Sequence, residues 1–347
     1  MKLILLILII CFSCQGFGDL ELFIKEKYKL DLVECEPIKV EIGWRNAGKE
    51  RIRVGFNRNP TESNAFYLVI NGIEYRDPFK GYRATIEPEA GAKDYLDGWE
   101  EIREEVDLRI IGLKAGVYEI KAVVDFTGYG RGYYNGKVES NAIELEIRKP
   151  MGIDEEAYKG AEKYIREHYK GEYKRLDFCE ILTGEGWGNE FRNILLEHYP
   201  TSTYAGWVLL HLQNIGGVIP IREKELIKKK ANIIASGLDR KILNPDWDTY
   251  KIVEGKKVHT RDLYEKNAFY QEKFISANPD FIFSSNISTS LADGYLYYLG
   301  ETKKGCYYLE LALKLDKWWG YNEREAESMK EGAKFYLEEL KRLGVCK

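Results

Sequence analysis

The stretch Gly184–Glu190 contains the residues of this sequence that come closest to catalytic chemistry. Glu185 and Glu190 flank Trp187 in a glycine-rich loop. Two carboxylates can act as acid and base on a glycosidic bond, and an indole ring can stack on a sugar. A glycosidase, however, holds its carboxylates at a fixed separation across the bond, and neighbours in a flexible loop do not provide it. We therefore predict a loop between helices here, with Trp187 packed on a neighbouring helix, and keep a glycan site as the alternative.

The sequence contains none of the common catalytic or cofactor motifs. G-x-S-x-G, H-E-x-x-H, a phosphate-binding loop and G-x-G-x-x-G after a strand are all missing. His168, His198 and His211 occur among apolar residues of helical segments, which predicts core or boundary positions for them. We therefore predict no catalytic residue, no cofactor and no metal site, and we favour a non-catalytic protein over an enzyme.

The hairpin Tyr129–Gly136 is the second candidate for a contact surface. It presents Tyr129, Arg131, Tyr133 and Tyr134 among glycines. Tyrosine and arginine are enriched in the energetic centres of interfaces. A long hairpin of a β-sandwich can instead pack on its own sheet edge or on the next domain. We favour packing on the helical domain, through Tyr133 or Tyr134, over contact with a ligand.

The first residues predict an export signal. Leu3–Phe12 is an apolar run of 10 residues, which is too short to span a bilayer. The order of a small residue followed by Cys14 resembles the cleavage box of bacterial lipoproteins, although Cys11 replaces the usual aliphatic residue. The resemblance implies a lipid on Cys14. We assign residues 1–18 to the signal peptide, with plain cleavage after Gly18 or a retained anchor as the alternatives.

Composition limits the classes of partner. The chain has 347 residues, of which 44% are hydrophobic and 31% are charged, and its formal net charge is −4. This composition is typical of a folded protein with room for two domains. Nucleic acid is not expected as a partner because the chain is not basic, and membrane contact is expected only through an N-terminal lipid. The cysteines beyond the leader leave every pairing, and free thiols, open; they are Cys35, Cys179, Cys306 and Cys346.

Residues 19–149 alternate polar and apolar side chains as β-strands do. The clearest strand is Pro37–Trp44, which places its apolar side chains on one face. Asn71-Gly72 predicts a tight hairpin turn. Many short strands separated by turn residues indicate a β-sandwich. Strands are predicted at Glu21–Leu32, Pro37–Trp44, Ile52–Phe56, Phe66–Ile70, Ile73–Tyr75, Val106–Ile111, Val117–Phe126 and Val138–Ile147.

One corner of this region resembles that of immunoglobulin-like domains. In Leu113-x-x-Gly116-x-Tyr118, the tyrosine stands at the entrance to a late strand. The tyrosine hydroxyl of that family bonds back to the backbone upstream. The strand that opens at Glu36-Pro37 and ends at Asn46-x-Gly48 is similar to bacterial immunoglobulin-like envelope domains. The resemblance covers roughly residues 20–148 and implies a fold but no activity.

From Pro150 onward the apolar pattern takes the period of a helix. Ser202 is a plausible helix cap. The segment 241–283 interrupts the series, and it either borders a binding surface or covers an apolar groove. Within it, Lys251–Thr260 predicts a small hairpin. Helices are predicted at Ile153–His168, Phe191–His198, Ala205–Ile215, Ile227–Leu238, Arg261–Ala277, Ser288–Leu299, Lys303–Leu315 and Asn322–Leu343.

The spacing of the helices indicates a degenerate repeat of about 34 residues, the length of a tetratricopeptide unit. Leu299–Leu313, in which Gly305 stands among larger residues, resembles that motif. His198–Ala205 is similar to the helix junction of tetratricopeptide-like envelope lipoproteins. Gly305 in place of alanine and Lys317 in place of proline depart from the motif. The resemblance implies stacked helix pairs with a concave binding surface.

Together these features predict a multidomain protein, with an all-β immunoglobulin-like sandwich at 19–149 and an all-α, tetratricopeptide-like helical domain at 150–347. The favoured function is a non-catalytic, exported binding or scaffold protein of the bacterial cell envelope, whose helical domain engages a protein or peptide. One alternative is an enzyme that acts on envelope glycans. The other is a sandwich-centred binder of a protease or a carbohydrate, with the helices as a spacer.

Overall fold

The computed structural model of the chain divides into two compact units, Met1–Lys149 and Pro150–Lys347. We call them the sandwich unit and the helical unit. The first is built of strands and the second mainly of helices, so the protein is multidomain and contains both sheets and helices. The structure describes residues 20–26, 31–54, 60–63, 65–76, 78, 95–129, 134–168, 175–183, 189–212, 223–237, 250–253, 256–318 and 323–347.

The described strands of the sandwich unit form a three-stranded sheet in the order β1-β3-β8, a five-stranded sheet in the order β2-β10-β9-β5-β6, and the short pair β4-β7. Neighbouring strands are antiparallel, except that β2 runs parallel to β10. The strands are β1 (Leu20–Glu26), β2 (Asp31–Val33), β3 (Lys39–Asn46), β4 (Ile52–Arg53), β5 (Phe66–Ile70), β6 (Ile73–Arg76), β7 (Tyr95–Leu96), β8 (Glu101–Asp107), β9 (Gly116–Asp125) and β10 (Lys137–Arg148).

The core of this unit lies between the two larger sheets. Val40, Ile42 and Trp44 of β3 are fully buried on one side, and Leu68 and Ile120 of the other sheet are fully buried on the facing side. Successive side chains of a strand point to opposite faces, so the alternation in the sequence buries one face of each strand. The predicted strand at Pro37–Trp44 is confirmed, and the two sheets share one core.

The predicted tyrosine corner is confirmed by a hydrogen bond. The hydroxyl of Tyr118 donates to the backbone carbonyl of Lys114 at 2.8 Å. Asp107 closes the other side of the same connection, because its carboxylate accepts from the backbone N–H of Arg109 at 3.0 Å and from Arg109 Nε at 2.8 Å. These bonds fix the chain where it leaves β8 and enters β9.

The predicted strand at Val106–Ile111 is wrong. The strand β8 ends at Asp107, and Leu108–Ile111 forms a 3₁₀ helix. The two adjacent isoleucines suggested a strand, but Asp107 caps the helix at its start and Gly112 ends it with a left-handed φ of 73°. A side-chain cap and a glycine at a positive φ outweighed the β propensity of the isoleucines.

The helical unit also contains the hairpin β11 (Tyr250–Val253) and β12 (Lys256–His259), as predicted from the sequence. Ser202 caps its helix, since its hydroxyl accepts from the backbone N–H of Ala205 at 3.2 Å. The helix α2 was not predicted. The helices are α1 (Ile153–His168), α2 (Arg175–Thr183), α3 (Asn189–His198), α4 (Thr203–Leu212), α5 (Lys224–Ser236), α6 (Thr260–Ala277), α7 (Ser284–Asp293), α8 (Thr302–Leu315) and α9 (Glu323–Arg342).

A shared core joins helices that are far apart in the sequence. Ile227 and Ala231 of α5 pack in one cluster with Leu309 of α8 and with Ala333 and Leu340 of α9. In a regular helical repeat, each unit contacts only its neighbours. The contact of α5 with α9 therefore closes this part of the helical unit on itself.

The close packing of α7 against α8 depends on Gly305. A Cβ at Gly305 would lie 2.9 Å from Leu296 Cδ2 and 3.0 Å from the carbonyl oxygen of Ala292. Both distances are too short for a carbon–carbon or carbon–oxygen contact. The resemblance to the tetratricopeptide motif implied a small residue at a helix contact, and the packing requires one at Gly305.

We expect Gly305→Ala to lower the free energy of unfolding by about 1–2 kcal/mol, because overpacking outweighs the gain in helix propensity. The measurement is urea unfolding followed by circular dichroism. Gly294→Ala is the matched control, since a Cβ there meets nothing within 4 Å, and it should raise stability by up to about 1 kcal/mol. Equal effects of the two substitutions would contradict the packing explanation.

A disulfide ties the end of the chain to α8. Cys306 and Cys346 are bonded, with 5.6 Å between their Cα atoms, and they are 40 positions apart in the sequence. The separations in the sequence left this pairing open, because a pairing depends on which helices meet in space. Both cysteines adjoin the core formed by α5, α8 and α9.

Candidate functional site

The aromatic hairpin contributes to the core of the sandwich unit. The rings of Tyr129 and Tyr134 both pack edge-on against Phe126, with centroids 5.4 Å and 6.1 Å away. The backbone N–H of Tyr134 donates to the carbonyl of Arg53 at 2.9 Å. Tyr129 remains 37% exposed. Tyr134 therefore packs on the sandwich unit. Its predicted contact with the helical unit stays a prediction.

The other residues singled out from the sequence are not brought together in the described part of the chain. Arg131, Tyr133, Cys14, Glu185 and Trp187 lie outside the described residues, as does the side chain of Glu190, whose backbone belongs to α3.

The prediction that His168 and His198 are core or boundary residues is wrong, because both side chains are exposed. His168 Nδ1 lies 2.9 Å from the carbonyl oxygen of Tyr164, and the two rings stack. The apolar neighbours in the sequence suggested burial, but each histidine falls at the end of its helix. The last turn of a helix presents free carbonyl groups, and an exposed histidine can bond to them.

A π-helical turn at Gly294–Leu299 is the centre of the candidate site. It continues α7 and ends at Gly300, which has a left-handed φ of 78°. A π turn inserts one residue into a helix and is frequent at functional sites. The sequence analysis predicted an ordinary helix here. The glycines that bracket the aromatic run Tyr295–Tyr298 are the signal that could have indicated the irregular turn.

The inner side of the π turn holds a buried ion pair. Lys230 Nζ lies 2.5 Å from Oδ1 and 2.6 Å from Oδ2 of Asp293, and 5.0 Å from the ring centroid of Tyr297. Burial raises the pKa of Asp293, and the ammonium of Lys230 opposes that rise. Tyr264 stacks on Tyr298 beside this pair, with ring centroids 3.8 Å apart. This side of the turn is built for stability.

The outer side of the π turn holds a half-exposed carboxylate. Glu272 Oε1 accepts from the hydroxyl of Tyr295 at 2.7 Å and from that of Tyr308 at 3.1 Å. The two rings are nearly parallel, with centroids 5.9 Å apart. Burial and the neighbouring carboxylate raise the pKa of both tyrosines, so their hydroxyls stay protonated as donors.

A cation already lies on this outer side. Lys304 Nζ is 4.6 Å from the ring centroid of Tyr295 and 3.9 Å from Glu272 Oε1. An ammonium over an aromatic face is attracted by the negative charge of the ring. The site therefore combines a carboxylate, two tyrosine rings and room for a cation.

Two exposed aromatic side chains lie on the helices that carry Glu272 and Tyr308. Phe269 lies one turn before Glu272 on α6 and is 50% exposed, and Tyr307 adjoins Tyr308 on α8 and is 58% exposed. Lys273 Nζ lies 4.4 Å from the ring centroid of Phe269. We call the following set the tyrosine surface: Phe269, Glu272, Tyr295, Lys304, Tyr307 and Tyr308.

A small cavity of about 20 Å³ lies behind the π turn, between α4, α6 and α7. Gln271 and Ser290 line it, and the amide of Gln271 donates to the hydroxyl of Ser290 at 3.3 Å. A polar cavity of this size has room for about one water molecule. It is too small for a substrate.

Neither a membrane-spanning helix nor a metal site is found among the described residues. None of their helices combines the length and apolarity needed to cross a membrane. No group of at least three histidine, cysteine or acidic side chains among them is placed to hold a metal ion.

No family model and no curated protein matches the chain. Among solved structures, it is similar to the solution structure of the CARDB domain of a protein from Pyrococcus furiosus. The match is 17% identical, covers 39% of this chain and 98% of that one, and has a TM-score of 0.23. At such a TM-score the likeness carries no argument about fold or function.

Proposed function

We propose that the chain is a non-catalytic, exported binding protein whose helical unit engages a protein or peptide partner through the tyrosine surface. The observation that supports this most directly is the partly exposed Glu272, which is held by two tyrosine hydroxyls, with exposed Phe269 on the same helix and exposed Tyr307 next to Tyr308. Aromatic anchors around a pre-positioned polar group are typical of the energetic centre of an interface.

The partner that fits this surface is a segment with a lysine or arginine beside apolar residues. Lys304 already places an ammonium over the ring of Tyr295 and near Glu272, so the chemistry of the surface suits a cation. Lys304 is itself half-exposed and also pairs with Glu301 at 3.2 Å. Its long side chain can move toward Glu301 and leave the place near Glu272 to a basic residue of the partner.

The finer description of the fold belongs to the same proposal. We infer that the sandwich unit is immunoglobulin-like, and the two facing sheets and the Tyr118 corner support this. We also infer that the helical unit derives from tetratricopeptide-like pairs, and the close contact at Gly305 supports this. The contact of α5 with α9 makes it a closed variant rather than an open array.

We also propose that the protein is exported to the cell envelope with a lipid attached to Cys14. This part of the proposal rests on the leader sequence alone. Expression in bacteria with labelled palmitate tests it. We expect the full chain to incorporate the label and Cys14→Ala to lose it. Incorporation that is unchanged by Cys14→Ala would contradict lipidation at that residue.

The binding function can be tested with a displayed library of random peptides selected on the full chain. We expect the recovered peptides to share a lysine or arginine flanked by apolar residues. A synthetic peptide of the recovered sequence should bind at least about tenfold more weakly to Glu272→Gln, because losing a cation–carboxylate contact costs about 1.4 kcal/mol or more. The amide of glutamine still accepts from both tyrosines, so the fold is kept. Fluorescence anisotropy gives the dissociation constants.

Glu331→Gln is the matched control, since it removes an exposed carboxylate from α9 and should leave binding unchanged. Replacing the basic residue of the peptide by norleucine should weaken binding as much as Glu272→Gln does. Recovered peptides that bind Glu272→Gln and a Phe269→Ala/Tyr307→Ala variant as tightly as they bind the original chain would overturn the assignment to this surface. Selection that yields no common sequence would overturn it too.

A further inference from the structure

One end of the sandwich unit presents an exposed indole. Residues 46–51 and 95–100, which we call the indole tip, form two turns that lie side by side around the short pair β4-β7. Trp99 projects from this tip and is 64% exposed. The functions predicted from the sequence do not involve Trp99.

Buried hydrogen bonds hold the two turns together. The side chain of Asn46 is fully buried, and its amide donates to the backbone carbonyls of Glu50 at 2.7 Å and of Asp97 at 3.0 Å. The backbone N–H of Trp99 donates to the carbonyl of Gly48 at 3.1 Å. The tip is therefore a fixed platform rather than a loop that takes its shape on binding.

Tryptophan at position 99 is unfavourable for folding in two ways, through its backbone conformation and through its exposed ring. Its φ is 64°, a left-handed conformation that a bulky residue rarely adopts and that glycine adopts without strain. Its ring is also left in solvent, where it contributes little to the core. Strain that is held in place by its surroundings, without any gain in packing, is a mark of a functional residue.

The indole tip also carries an exposed ion pair. Arg51 Nε donates to Asp97 Oδ1 at 2.9 Å, and the guanidinium of Arg51 lies 3.8 Å from the ring centroid of Tyr95. The structure describes every residue of the tip, and within it Trp99 is the one large apolar side chain that is exposed, whereas Lys49 and Arg51 are exposed charged residues.

We infer that the indole tip binds a saccharide, with Trp99 stacked on the apolar face of one sugar ring and the Arg51–Asp97 pair bonded to its hydroxyls. Neighbouring hydroxyls of a sugar each offer a donor and an acceptor. A carboxylate only accepts and a guanidinium only donates, so the pair satisfies both needs side by side. The inference concerns a different unit from the tyrosine surface and does not depend on the proposed function.

Trp99→Gly separates binding from folding, because glycine adopts the left-handed conformation without strain. The full-length chain and this variant would be applied to a microarray of neutral glycans, and the glycan with the strongest signal would be measured by titration calorimetry. We expect Trp99→Gly to weaken binding at least tenfold while its midpoint of urea unfolding stays equal or rises. Trp99→Phe, which keeps a flat apolar face, should stay within a few-fold of the original affinity. Met151→Ala removes another exposed apolar side chain and should change nothing.

Each opposite result overturns the inference. If no glycan gives a signal above that of Trp99→Gly, the tip does not bind a saccharide. If Trp99→Gly binds the same glycan with unchanged affinity, the sugar lies elsewhere. If Trp99→Gly instead abolishes the binding of a peptide recovered from the displayed library, and no glycan binds, the tip is a site for a protein.

Discussion

Replacing both Cys306 and Cys346 by serine should lower the free energy of unfolding of the helical unit by about 4 kcal/mol, because the disulfide closes a long loop in the unfolded chain. The bond joins residues that are 40 positions apart, and the closed loop includes α8 and α9. Without the bond, the unfolded state regains the conformational freedom of that whole segment. Urea unfolding of the full chain, followed by circular dichroism, measures the loss as a shift of the transition midpoint.

Two controls distinguish loop closure from local packing. The double replacement by alanine should lose nearly as much stability as the double replacement by serine, since both remove the same constraint. Lys347→Ser, which changes an exposed neighbour, should have no effect. A loss below about 1 kcal/mol in both double variants would show that the helical packing alone orders the end of the chain.

Lys230→Met should lower the free energy of unfolding by about 3–5 kcal/mol, because it leaves the carboxylate of Asp293 in the protein interior without its cation. The side chains of Lys230 and Asp293 are only 13% and 6% exposed. Asp293→Asn should cost less, because burial already disfavours the charge of Asp293. The double variant Lys230→Met/Asp293→Asn should lose less than the two single losses added together, because no unpaired charge remains.

The pH dependence of stability tests the same pair. Burial raises the pKa of Asp293 above its usual value of 3.8. The folded state therefore holds this proton more tightly than the unfolded state. The stability contributed by Asp293 is complete below that usual value and is lost as the pH rises through the folded pKa. Asp293→Asn should remove this part of the pH dependence. An unchanged pH profile would contradict the raised pKa of Asp293, and strictly additive losses in the double variant would contradict the ion pair.

The alternation of polar and apolar residues allowed much of the sandwich unit to be predicted. The strand prediction that was wrong has a local cause. Alternating side chains predicted β3, and the resemblance to the corner of immunoglobulin-like domains implied the hydrogen bond of Tyr118. The strand at Val106–Ile111 failed because a cap and a glycine redirected the chain into a 3₁₀ helix. A pattern of apolar residues contains no information on a single hydrogen bond of that kind.

The candidate sites were harder to predict, because they depend on distant contacts and on backbone angles. Glu272, Tyr295 and Tyr308 belong to three separate segments, and no spacing in the sequence relates them. Trp99 is conspicuous only once its φ is known. The tyrosine hairpin, conspicuous in the sequence, supplies ordinary packing through Tyr134. Residue type alone therefore did not indicate Glu272, Tyr295, Tyr308 or Trp99, and the prediction for the hairpin stays a prediction.

The parallel pairing of β2 with β10 has a consequence for how the sandwich forms during synthesis. Asp31–Val33 pairs with Glu146–Arg148, and the backbone N–H of Glu34 donates to the carbonyl of Arg148 at 2.9 Å. An early strand must therefore wait for the last strand of its unit before its hydrogen bonds can form. Contacts between such distant positions slow folding. We therefore expect the sandwich unit to complete its fold only after β10 has been synthesised.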